Sequence, residues 1–155
     1  MTTQSLLDEL VEARDDFYAA LDEQDPARLE HPGLVGEWSA RELVAHLGYW
    51  AGRVVDVMLA VEEGRAEQAY EGQPPTDEVN ATVARVARDT RLATVQKREA
   101  ASVEALVERL RRIDPGMLQA TLPSGATLEA LVREDGPEHY RRHAEELRRP
   151  EGAGS

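Results

Sequence analysis

Apolar residues in this chain recur at spacings of three and four along nearly its whole length, and the period-two alternation of a half-buried strand is almost absent. That periodicity restricts the chain to helices with one apolar stripe each, and such stripes must be buried against one another. The first stretch, residues 3–22, carries Leu6, Leu7, Leu10, Val11, Phe17, Tyr18 and Leu21 on one broad face and stops before Asp25-Pro26. A second opens at Ser39 with Glu42 three residues on, a capping box, and continues through Leu43, Leu47, Trp50, Val54, Val57, Met58 and Val61 to Gly64. A third is predicted as one long helix over residues 76–112, with Val79, Val83, Val86, Leu92, Val95, Val103, Leu106, Val107 and Leu110 on its buried side. The fourth runs from Thr127 to Arg149, with a kink or short break at Asp135-Gly136-Pro137.

Four amphipathic helices around one core predict an all-α four-helix bundle, a single domain over residues 1–150, followed by a flexible C-terminal tail at 151–155. The connection from Gly64 to Pro75 can reach ~35–40 Å at ~3.3 Å per residue, enough to run the length of a bundle. It permits an up-down-down-up order with the second and third helices parallel, and leaves a plain up-and-down order open.

Composition narrows the functional classes. Thirty acidic residues against 18 basic give a formal charge of −12, a surface that repels phosphate backbones and anionic lipid, so neither nucleic acid nor membrane is expected as a partner. No cysteine is present, which removes thiolate nucleophiles, disulfides and cysteine-ligated metal. No secretion signal and no run of roughly twenty apolar residues is legible, and the expectation is a cytoplasmic protein. A monomer and a homodimer fit the pattern equally.

The chemistry-bearing residues are histidines. His139 and His143 stand at i and i+4 and share a helix face. His46 falls inside the apolar stripe of the second helix, seven residues past Ser39, or ~10 Å along the axis at ~1.5 Å per residue. His143 lies six residues before Arg149, ~9 Å by the same rise. With the second and fourth helices antiparallel, the three imidazoles reach one level and form a facial ligand set for zinc, nickel or iron(II), with coordination positions left open for chemistry. The alternative is that they are buried polar residues satisfied within the core. His31, beside Pro32-Gly33, reads as a surface residue; Glu42 is explained by capping, and Glu138 is a weak outer partner for the site. Tyr49, Trp50 and Arg53 follow His46 at three, four and seven residues and could line a pocket mouth, although Trp50 reads equally as core.

The segment Gly36-Glu-Trp-Ser-Ala-Arg-Glu-Leu-Val-Ala-His46-Leu-Gly-Tyr-Trp50 resembles the signature of the DinB-like superfamily, a Trp-Ser helix start followed by a histidine and an aromatic. Glu138-His139-Tyr-Arg-Arg-His143 resembles its second signature, and Asn80 fits the pattern of several members. The resemblance implies an up-down-down-up bundle holding a divalent metal on His46, His139 and His143. It also implies a small-molecule substrate and, in the thiol-dependent branches, mycothiol or bacillithiol as co-substrate. The maleylpyruvate isomerase branch has glutamate at one ligand position; three histidines here argue against that particular reaction. Three functions follow as candidates: a metal-dependent enzyme acting on an electrophile through a thiol or water, a protein that sequesters a metal or ligand without turnover, and a structural bundle.

Overall fold

The computed structural model describes residues 3–149. Among them the chain forms α1 (Thr3–Asp22), α2 (Pro26–Leu29), α3 (Ala40–Glu62), α4 (Thr76–Arg88), α5 (Leu92–Arg112), α6 (Leu128–Asp135) and α7 (Pro137–Arg148). Short 3-10 turns sit at Gln68–Tyr70 and Pro115–Gln119, and β-pairing among the described residues is limited to two isolated bridges. The tail expected at 151–155 lies outside the described residues.

Local chemistry sets the helix ends. Asp25 caps the single turn of α2 by accepting from the Ala27 amide at 2.9 Å, with Pro26 at a position that needs no donor. At the start of α3, Glu42 Oε1 accepts from the Ser39 amide at 3.1 Å, as the capping box requires. Glu42 does more than cap: its Oε2 accepts from Arg88 Nε at 2.9 Å, tying the start of α3 to the end of α4.

The long third helix expected over residues 76–112 is two helices, α4 and α5, separated at Asp89-Thr90-Arg91. Thr90 Oγ1 donates to the Val86 carbonyl at 2.8 Å, a local bond that competes with continuation of the helix. The separate helix α4 buries Val79, Ala84 and Ala87, and Val86, expected on the buried side, is 55 % exposed. Val11 of α1, also placed on its buried stripe, is 48 % exposed. The break expected near Gly136 is present. Gly136 separates α6 from α7, and a Cβ there would stand 2.6 Å from the Val132 carbonyl oxygen, so only glycine fits.

Cross-helix contacts establish direction. Along α1 and just past its end, Glu9 pairs with Arg133 of α6, the Phe17 and Tyr140 rings meet edge to face at 5.7 Å, and Gln24 donates to the Leu147 carbonyl of α7 at 3.0 Å. Residue numbers rise together on both sides, so these helices are parallel. Between α3 and α5 the matched levels are Gly48 with Glu99, Gly52 with Ser102 and Glu62 with Arg109, again parallel. The bundle is therefore up-down-down-up, with residues 63–75 as the long crossover. Its core is filled by Leu6, Phe17, Leu43, Leu47, Leu106 and Tyr140, each fully buried.

Among the described helices, α3 alone is long and apolar enough to cross a membrane by length and composition, contrary to the expectation that no stretch reaches that mark. Half of that stretch is buried against its neighbours, as befits the central helix of a bundle.

Candidate metal centre

α3 and α7 deliver the three histidines to one place. His46 lies about two turns into α3, and His139 and His143 occupy successive turns of α7, which begins at Pro137 directly after Gly136. The ring centroids lie 4.7 Å (His46–His139), 5.3 Å (His46–His143) and 4.9 Å (His139–His143) apart. The Nε2 atoms of His46 and His139 are 2.8 Å apart, and ligand nitrogens from all three rings fall within 4.8 Å of one another.

All three rings are buried. Burial is the main reason their basicity is low: His46 and His143 are pushed down to about 4 and His139 to about 2. For His46 the neighbouring His143 adds to the effect, while Asn80 opposes it; for His139, both other rings add to it. The positive charge of Arg142 lowers all three. At neutral pH the cluster is uncharged, with ring lone pairs free to bind.

The residues present fit a divalent ion. A Zn–N bond is ~2.0–2.1 Å, so one ion spans at most ~4.2 Å between two nitrogens, and the His46–His139 pair already lies inside that limit. The Nδ1 atoms of all three rings are buried without a hydrogen-bond partner. Asn80 stands near the His46 ring and the Asp135 backbone near the His139 ring, neither as a well-aligned bond to those Nδ1 atoms. Glu146 Oε1 stands 3.1 Å from His143 Nδ1, out of line for a hydrogen bond but placed as the outer partner that metal-bound imidazoles usually have.

The surroundings were only partly legible in advance. Trp50, half-buried, donates from Nε1 to Asn80 Oδ1 at 2.7 Å, and Asn80 in turn faces His46. Arg53 donates to the Ala69 carbonyl and lies over the Tyr70 ring at 5.3 Å, which engages it with the crossover connection. Tyr49 is partly exposed and lines a cavity of about 310 Å³ with Thr82, Val83, Val95 and Arg98, a lining that includes none of the three histidines. His31 and Glu138 are exposed and outside the cluster. Sequence reasoning noted Trp38 and Asp135 only as helix-end residues and gave neither a place at the site; the Trp38 ring lies 4.7 Å from that of His46, and burial and Glu134 raise the Asp135 carboxyl to about 6. Their positions, just before the Ser39 cap and one turn before His139, were the available signals.

The family model for the DinB superfamily matches residues 9–147, nearly the whole chain. The chain belongs to the DinB superfamily. Among solved structures, this DinB protein is similar to one described as the crystal structure of the mycothiol-dependent maleylpyruvate isomerase, with a TM-score of 0.72 and 17 % sequence identity. The match covers 96 % of this chain and 61 % of that one, and at such identity it shows a shared fold. No curated protein matches the chain.

Proposed function

We propose that this DinB protein is a divalent-metal-dependent enzyme that turns a small-molecule thiol, or water, against an electrophilic small molecule. The observation that carries the reading is the convergence of three buried, uncharged imidazoles whose ligand nitrogens lie within 4.8 Å of one another. His46, His139 and His143 would hold the ion, with zinc or nickel preferred and iron as a further fit to nitrogen donors. Such an ion supplies Lewis acidity, so that a thiol or water bound to it loses its proton near neutral pH.

The protein's own residues have definable parts. Burial keeps the three rings unprotonated and therefore competent as ligands. Trp50 holds the Asn80 amide beside His46, and Glu146 stands beside His143 Nδ1 as the outer partner a ligating imidazole would use. Three protein ligands without a fourth favour an open site over a closed structural one. The thiol half of the proposal takes support from the likeness in fold to a protein described as mycothiol-dependent. A cytoplasmic setting, where small thiols stay reduced, belongs to the same reading.

Elemental analysis of protein purified without an affinity tag should find close to one zinc, nickel or iron per chain, and His143→Ala should abolish it. Unchanged occupancy in that variant would discard the ligand assignment. Thiol consumption with mycothiol, bacillithiol or glutathione against epoxides and activated alkenes then tests turnover. A loaded protein inert with every thiol and with water would be a sequestering protein instead.

A further inference from the structure

The most elaborate polar arrangement in the bundle lies outside the histidine cluster. Glu99, on α5, is 1 % exposed. Its Oε1 accepts from Arg14 Nη2 at 2.7 Å and from the Tyr18 hydroxyl at 2.8 Å; its Oε2 accepts from Arg14 Nε at 2.8 Å and from the Tyr140 hydroxyl at 2.5 Å. Four donors from α1 and α7 thus meet one carboxylate on α5. Burial and the adjacent carboxylate raise both phenols, so both remain protonated donors.

Stability is a poor explanation for such a group. A buried ion pair commonly adds no more than an apolar replacement of the same shape would. Its placement is more informative. Tyr140 follows His139 directly and lies between the two histidines of α7. On the other side of the same residue, the backbone of Glu99 packs so closely on α3 that a Cβ at Gly48 would stand 2.9 Å from Glu99 Cα. Gly48 is two residues beyond His46. One residue therefore touches both imidazole-bearing helices within two residues of a histidine in sequence, α3 through its backbone and α7 through its carboxylate.

We propose that Glu99 is a positioning residue that sets the spacing of the three imidazoles, holding α7 through Tyr140 and α3 through the Gly48 contact. The inference rests on the metal reading for its purpose but concerns ring placement, which can be measured with or without an ion. Tyr140→Phe and Tyr18→Phe each remove one hydroxyl from the same carboxylate, and only the first severs the link to α7.

The experiment is zinc affinity by competition with a chromogenic chelator, with the visible spectrum of the cobalt-substituted protein as a report on geometry. Tyr140→Phe should weaken zinc by about tenfold, the low end for loss of an outer-shell partner, and alter the cobalt spectrum. Tyr18→Phe should stay within about twofold of the parent with an unaltered spectrum. Equal effects from the two variants, or none from either, would overturn the proposal. Should Tyr140→Phe not fold, Gly48→Ala presses on Glu99 from the α3 side; an unchanged cobalt spectrum there would equally overturn it. A parent protein that takes up no zinc would sink the metal reading alone. The imidazole nitrogen NMR shifts of metal-free protein then decide: His139 and His143 must move in Tyr140→Phe and not in Tyr18→Phe.

Discussion

An imidazole buried among other imidazoles is tolerable only while it carries no charge. The folded-state values of about 4 for His46 and His143 and about 2 for His139 lie below the ordinary 6.5, so protonation favours the unfolded chain. The stability that the neutral rings permit is fully present above pH 6.5 and is lost as the pH falls from there through about 4. Each of these histidines steepens the loss by about 1.4 kcal/mol per pH unit within its window. Urea titrations of metal-free protein should show the midpoint dropping from pH 6.5 to 4.5. In His46→Ala the drop should be shallower, and an identical slope would argue against buried neutral rings. Single residues also mark how far sequence reading reached. The histidines were found because helical spacing and depth are local arithmetic. Glu99 was not, because its partners stand 85, 81 and 41 residues away and a glutamate in a helix ordinarily reads as solvated.

Among the elements, α1 and the start of α3 were legible to the residue because proline and a capping box are short-range signals. The division of the third helix was not. Asp89-Thr90-Arg91 contains neither glycine nor proline, and the bond from Thr90 to Val86 that accompanies the break is a choice tertiary packing makes. The α6–α7 junction was visible as Gly136-Pro137, and the structure adds why glycine is required there. Gly136→Ala forces its new methyl carbon against the Val132 carbonyl and should cost about 2 kcal/mol, read as a lower urea midpoint with an unchanged slope. Since this junction aims His139 and His143, zinc affinity should fall with it. A variant as stable as the parent would show that the junction relaxes freely.

At the level of the whole molecule, the site joins two helices that no short loop connects. An ion bound only by the folded state stabilises it by about 2.7 kcal/mol at a hundredfold excess over Kd, which for a chain of this size raises the melting temperature by about 5–10 °C. Thermal unfolding with and without zinc should show that rise, and His46→Ala should erase it; an equal rise in the variant would place the ion elsewhere. The parallel pairings, α1 with α7 and α3 with α5, were open from the sequence because a linker's reach permits a crossover without demanding one. Ion pairs and glycine contacts decide it. His46 and His139 stand 93 residues apart in the chain. During synthesis a growing polypeptide therefore offers only one of the three clustered rings until α7 has emerged, and an ion needing all of them would find its seat only then.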